Sequence, residues 1–334
     1  MTDIKLRLAC WDYDRIEPLA NGKVKPTGID LNVEKLWLQE IFYRMLTKKE
    51  FDLSELSFGA YTVSLFEENP PFIAIPVFPS RMFRHGSIYI NKDSGIERPE
   101  DLMGKRIGLP EYRQTAVVWI KGFLKDIYGV ENTAVKYYTG PLEKANSKYF
   151  YNLSKTDVTK LYKDVDIRKI NDGKTLSDML LYGELDALYS AIEPSGFKKN
   201  DGKVVRLYSN PKDVEMKYFG DTGIFPIMHV IAIRREIYEE NRWVAQSLYD
   251  AFLQAKNIVV DELIDATGAL KYSLPWLRDY IEETVNLMGR DYWPYGVNKN
   301  MTTIKKFIGY MHEQGIIPRK LNAEGLFAEE VQKT

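Results

Sequence analysis

Apolar and polar residues alternate along "IKLRLACW" (residues 4–11), the spacing of a half-buried strand whose successive side chains point to opposite faces. "PTGIDLNVEKL" (26–36) reads as a turn followed by a second strand. The period then changes: "LQEIFYRMLTKKE" (38–50) carries Ile41, Phe42, Met45 and Leu46 at the spacing of a helix with one apolar face. "FDLSELSFGAYTVSLF" (51–66) predicts a short strand running through a loop into a helix, and "FIAIPVFP" (72–79) a strand buried on both faces. Strands and helices therefore alternate, the order of an α/β sheet covered by helices.

A second series follows. "SIYINKDSGI" (87–96) ends a strand in a turn, "RPEDLMGKRIGLP" (98–110) is a short helix and another strand, and "QTAVVWIKGFLKDIYGV" (114–130) is a helix stopped by Gly129. "KTLSDMLLYGELDALYSAIEPS" (174–195) repeats the scheme, its helix closed by Gly183 before the strand "DALYSA". Residues 141–170, rich in Lys, Asn, Ser and Tyr and weakly periodic, read as a surface excursion around short strands. "FPIMHVIAIRREIY" (225–238) is a further strand, and from Glu239 onward the pattern is almost wholly helical. No repeat, low-complexity segment or flexible linker interrupts it. At 334 residues the chain exceeds the size at which one core usually keeps growing, so two lobes are expected, joined by ordered strands.

Charge sharpens this picture. Lys and Arg number 46 against 47 Asp and Glu, so no global field favours nucleic acid or an anionic membrane surface. A local cluster of cations is then informative, and "PSRMFRHG" (79–86) sets Arg81, Arg84 and His85 at the end of a buried strand. The single cysteine, Cys10, excludes an internal disulfide and any multi-cysteine metal site, and reads as a small buried strand residue. No stretch reaches the roughly 18 apolar residues of a membrane span, and the first residues read at once as a strand, so a cytoplasmic location is expected. Walker, G-x-G-x-x-G, G-x-S-x-G and H-E-x-x-H motifs are absent from the sequence, and no organic cofactor is implied.

The element order resembles the type II periplasmic-binding-protein fold, which implies two α/β lobes with a ligand cleft between them. "INKDSGI" with "PEDLMGKRIGLP" is similar to the crossover and first second-lobe strand of such proteins. The expected lobes are 1–91 plus 225–334, and 92–224. A narrower likeness rests on "ACWDYDR", "GIDLN", "EFDLSELSFGAYTVSL", "PFIAIPVFPSRMFRHGSIYIN", "GKRIGLPEY", "GELDALY", "TGIFPIMHV" and "YWPYG". These resemble the 4,5-dihydroxyphthalate decarboxylase family across residues 9 to 296. The chain departs from that pattern at Ile192-Glu193-Pro194, where an Arg and a small residue precede the Pro in the family. The resemblance implies a carboxy-lyase that acts without an organic cofactor on a hydroxylated aromatic carboxylate, with a divalent metal left open. The alternative is a solute-binding protein delivering an aromatic or heteroaromatic ligand to an ABC transporter. Partners are then a small aromatic carboxylate, no nucleic acid and no membrane, with a homo-oligomer left open.

In open α/β sheets, ligands gather beyond the carboxyl ends of the strands. That rule selects Trp11, Tyr13, Asp14, Ser57, Tyr61, Arg81, Arg84, Tyr112, Arg113, Thr115 and Tyr189 as substrate-binding candidates. Arg pairs bidentately with carboxylates, so Arg81, Arg84 and Arg113 form the expected clamp, while the aromatic residues suit stacking on a ring. Thr115 opens a helix whose free amides favour an anion. Of the three histidines, His312 reads as a surface helix residue. His85 and His229, with Glu111, are the acid–base candidates, since imidazole titrates near neutral pH. His85 or Glu111 is expected as the acid and His229 as the partner of the phenol. Two histidines and a carboxylate also leave a metal set open, although their spacing matches no metal motif.

Overall fold

The computed structural model describes residues 3–143, 162, 164–199, 202–265 and 270–334. In chain order its strands are β1 (Ile4–Cys10), β2 (Ile29–Lys35), β3 (Leu53–Ser57), β4 (Phe72–Ile75), β5 (Ile88–Asn91), β6 (Arg106–Leu109), β7 (Lys136–Thr139), β8 (Asp166–Lys169), β9 (Ala187–Tyr189), β10 (Val204–Arg206) and β11 (His229–Arg234). The chain divides into two compact units. The first comprises Met1–Arg81, Phe219–Lys305 and Leu321–Thr334, and the second Met82–Tyr218 with Lys306–Lys320.

The first unit is built on a five-stranded sheet in the order β2-β1-β3-β11-β4. β1 runs parallel to β2 and β3, whereas β11 is antiparallel to both β3 and β4. The alternation read in β1 holds only over its first half. Leu8, Ala9 and Cys10 are all buried because the carboxyl end of the strand is covered. β3 is buried at every position and leads directly into the helix Phe58–Ser64, whose first amides are capped by Ser57. Helix Leu38–Lys48 turns Ile41 and Met45 inward, and the long helix Val244–Ile264 buries Leu248, Phe252, Ala255 and Val259 at helical spacing.

The second unit carries a six-stranded sheet in the order β10-β5-β9-β6-β7-β8. β6, β7, β8 and β9 are parallel neighbours, and β5 lies antiparallel between β9 and β10. Helix Thr115–Tyr128 is buried along most of its length and closes at Gly129, whose φ of 68° is the left-handed conformation a glycine adopts without strain. Gly122 lets the Tyr310 ring lie against the helix: a Cβ there would sit 2.2 Å from the ring.

The expected lobe boundaries shift in three places. β5 is hydrogen-bonded to β9 and β10, so the second unit begins at Met82 and not after Asn91. Residues 219–224 join the first unit. Residues 306–320, expected in the first lobe with the rest of the carboxyl-terminal helices, belong to the second, where Phe307 and Tyr310 pack on Trp119. The excursion expected over 141–170 falls largely on 144–161 and 163, outside the described residues. No helix among the described residues is long and apolar enough to cross a membrane.

Candidate functional site

In the first unit the centre of the site is a residue the sequence reading passed over. Glu55, in the middle of β3, is wholly buried and gathers partners from two other strand ends. Its Oε1 accepts the Tyr13 hydroxyl at 2.7 Å and lies 2.5 Å from His229 Nδ1. Its Oε2 accepts the Trp11 amide at 3.1 Å and the Cys10 thiol at 3.4 Å. Burial works against the charge of this carboxylate, but His229, Tyr13 and the Trp11 amide outweigh it and hold Glu55 below the ordinary glutamate range. An ionised carboxylate only accepts hydrogen bonds, so the proton between the pair sits on His229 Nδ1. Among the described residues Nε2 makes no hydrogen bond.

His229 opens β11 and stands in register opposite Ser57, the last residue of β3. The arrangement follows from topology: β1 and β3 end side by side, and the antiparallel β11 begins where β3 stops. Phe42 sets its ring edge-on to His229 at 5.0 Å, fixing the imidazole plane. Trp11 is 36% exposed and meets Tyr13 and Trp37 edge-to-face.

Three other first-unit candidates take different roles. Tyr61 is a core residue; its hydroxyl donates to the Leu326 carbonyl at 2.5 Å and accepts from the Ala74 amide at 3.0 Å. Asp14 is exposed and pairs with Arg15, whose guanidinium lies over the Tyr13 and Trp293 rings. Arg81, expected in the clamp, is buried with its terminal nitrogens donated to the Phe225 carbonyl at 3.0 Å, the Pro294 carbonyl at 2.7 Å and the Asn300 side chain. Burial lowers its pKa to about 9. The fold takes both terminal nitrogens, while Nε is buried with no hydrogen-bond partner among the described residues.

In the second unit, Glu111 and Arg113 form a pair in the loop before helix Thr115–Tyr128, with Arg113 Nε 3.1 Å from Glu111 Oε1. Burial raises the Glu111 carboxyl above its ordinary range, and the Arg113 and Lys121 charges only partly reverse this. Lys121, buried in the helix, reaches back to the Tyr112 carbonyl at 3.0 Å and so pins this loop. Tyr112 points into the core, packed on Tyr137 and Tyr162 with Lys121 Nζ over its ring, and is a structural residue, not a substrate contact. Thr115 is the first, buried residue of the helix. Tyr189, at the end of β9, is buried with no partner for its hydroxyl among the described residues.

His85 lies in a short 3-10 turn between Arg84, also buried, and β5. It is 1% exposed, stacked on Phe123 at 4.1 Å and flanked by Tyr208 and Tyr218, with Glu215 Oε1 4.0 Å from Nδ1. Burial lowers its pKa to about 4, so it is neutral at pH 7. In the segment that departs from the family pattern, Glu193 is paired with Arg206 at 2.6 Å.

His229 and Glu111 thus each have a chemical partner in their own unit, whereas His85 is enclosed by rings. Among the described residues no group of three or more His, Cys, Asp or Glu side chains is disposed to hold a metal ion. The overlooked Glu55 did carry a signal. A glutamate inside "LSELS", a strand with no other charge, is almost never buried without a partner.

No family model matches the chain. It is 35% identical over 327 residues to a 4,5-dihydroxyphthalate decarboxylase from Comamonas testosteroni, covering 98% of this chain and 97% of that protein. A protein of the same name from Pseudomonas putida is 40% identical over 219 residues, 66% of this chain and 83% of the relative. Among solved structures, the periplasmic aliphatic sulphonate binding protein from Escherichia coli matches with a TM-score of 0.54 at 12% identity, covering 99% of each chain. A putative sulfonate-binding protein from Methylobacillus flagellatus gives 0.54 at 13%, over 98% of this chain and 92% of its own. These structures share the two-lobed α/β periplasmic-binding-protein fold.

Proposed function

The chain belongs to the 4,5-dihydroxyphthalate decarboxylase family, and we propose that it works in the cytoplasm on 4,5-dihydroxyphthalate or a close analogue, with His229, Glu55 and Glu111 carrying the proton transfers. It is a carboxy-lyase of a hydroxylated aromatic carboxylate. The substrate chemistry sets what the residues must do. CO₂ leaves an aromatic ring when the carbon that bears it accepts a proton; the C–C electron pair then returns to the ring and restores aromaticity. In 4,5-dihydroxyphthalate each carboxylate has a hydroxyl para to it, and removing that hydroxyl's proton drives electron density onto the carbon to be protonated.

His229 Nε2 is the base for the hydroxyl. As it takes the proton, the imidazolium that forms is stabilised by Glu55, which also fixes the tautomer. Tyr13 and the Trp11 amide keep Glu55 ionised and in place. For the ring carbon, Glu111 is the better acid of the two expected: burial shifts its carboxyl toward the protonated form, whereas His85 is the neutral imidazole at pH 7. Glu111 is then reprotonated from water, and His229 returns its proton to the phenolate, so one proton is consumed per CO₂ released.

The observation that best supports this reading is the buried Glu55 carboxylate 2.5 Å from His229. The test is CO₂ release from a panel of hydroxyphthalates and hydroxybenzoates, with and without chelator. Release from substrates with a para hydroxyl, and not from those lacking it, is the expected result. Tight binding without CO₂ from any of them would replace this reading with a solute-binding role.

A further inference from the structure

Arg113 has a strong donor that the loop does not use. Its side chain is 5% exposed and its Nε is paired with Glu111, yet Nη2 is buried with no hydrogen-bond partner among the described residues. The Tyr162 hydroxyl and Gln114 Oε1 share that condition. The Tyr162 ring packs tilted on that of Tyr112 at 4.6 Å, and Tyr112 stands between Glu111 and Arg113 in the chain, so Tyr162 lies against this loop. Two residues after Arg113 begins the 14-residue helix Thr115–Tyr128, whose amino-terminal amides and dipole add positive potential. A buried guanidinium nitrogen beside a phenol hydroxyl and a helix start is the chemistry of a carboxylate site.

A phthalate carries two carboxylates with different fates. The one that leaves must shed its charge to become CO₂, so a guanidinium fixed on it would stabilise the ground state more than the transition state and slow the reaction. The one that stays keeps its charge throughout, and anchoring it carries no such penalty. Resting on the decarboxylase reading, we propose that Arg113, with the Tyr162 hydroxyl, anchors the carboxylate that remains on the ring. The two carboxylates sit on adjacent ring carbons, so this anchoring also turns the carbon to be protonated toward Glu111, Arg113's own partner. Glu111 in its protonated form, which burial favours, avoids setting two negative carboxylates against one guanidinium.

The product tests this directly. Removing one carboxylate from 4,5-dihydroxyphthalate leaves 3,4-dihydroxybenzoate, which retains only the group that stays; catechol has neither. Dissociation constants for both are measured on the full chain and on Arg113→Met, Arg113→Lys and Tyr162→Phe. Arg113→Met should weaken 3,4-dihydroxybenzoate on the order of 100-fold while catechol binds as before, because a charge-assisted pair is lost and ring contacts are not. Arg113→Lys should recover part of the loss, and Tyr162→Phe should weaken 3,4-dihydroxybenzoate by about 10-fold, a readout that survives if Arg113→Met does not fold. Unchanged 3,4-dihydroxybenzoate binding with weakened 4,5-dihydroxyphthalate binding would mean that Arg113 holds the leaving group. An equal loss for catechol would mean that Arg113 only supports the loop. Either result overturns the proposal. A failure of the decarboxylase reading shows separately, as wild-type protein that releases no CO₂.

Discussion

His229 Nδ1 lies 2.5 Å from Oε1 of Glu55, a carboxylate with no exposure to solvent that is held by Tyr13, the Trp11 amide and Cys10 as well. The pair joins a residue of a strand interior to one that opens a strand 174 positions later. Glu55→Gln keeps the shape and accepts the Nδ1 proton but cannot stabilise the imidazolium. Its kcat for CO₂ release should fall on the order of 10²–10⁴ while the dissociation constant for 3,4-dihydroxybenzoate stays as in wild type. An unchanged kcat would reduce the pair to a core ion pair.

Glu111 donates only while protonated, so activity should decline as pH rises through its raised pKa. Glu111→Gln should remove that basic limb and lower kcat by roughly 10²–10³ with product binding retained. A pH–rate profile recorded for both proteins checks this, and a basic limb that persists in Glu111→Gln assigns the acid to another group.

His85 makes a stability prediction. Its folded pKa of about 4 lies below the unfolded value near 6.5, so the neutral ring's stabilising contribution is complete above pH 6.5 and is lost as pH falls toward 4. The loss amounts to roughly 3 kcal/mol by pH 4. Glu215 lies 4.0 Å away, and burial raises its carboxyl above the ordinary glutamate range. Denaturant unfolding at pH 7 and pH 4 should show a smaller drop for His85→Leu than for wild type; parallel drops would show that His85 charges freely in the folded state.

Arg81 separates folding from catalysis. Arg81→Met takes the donor from the Phe225 carbonyl and from Asn300 Oδ1, while the Pro294 carbonyl keeps the Asn300 amide, and should cost about 3 kcal/mol of stability. The folded protein should keep a wild-type KM. A raised KM at unchanged stability would restore Arg81 to the clamp.

The strands, helices and two α/β units were legible because alternating and helical periods survive in the sequence, as in β1 and helix Leu38–Lys48. Membership of the second unit by β5 and by Phe307 and Tyr310 was not, since local pattern does not say which sheet a buried segment joins. For the site, the rule of strand carboxyl ends selected Trp11 and Tyr13, which hydrogen-bond Glu55, and Glu111 and Arg113, which pair with each other. It failed for Tyr61, Tyr112 and Arg81, whose polar groups turn inward to satisfy backbone atoms or pack in the core. Residue type at a strand end fixes neighbourhood, and only side-chain direction separates a ligand contact from a buried hydrogen bond. Glu55 was missed for the complementary reason: it lies inside a strand, yet its carboxylate reaches the strand ends.

The rate of CO₂ release from 4,5-dihydroxyphthalate by His229→Asn, set beside wild type, tests the central claim most directly. Asn can still meet Glu55 but cannot cycle a proton near pH 7. Wild-type turnover with a loss on the order of 10²–10⁴ in the variant, and product binding intact, is the predicted result. Equal rates in the two proteins, or substrate bound without CO₂ from wild type, would contradict it.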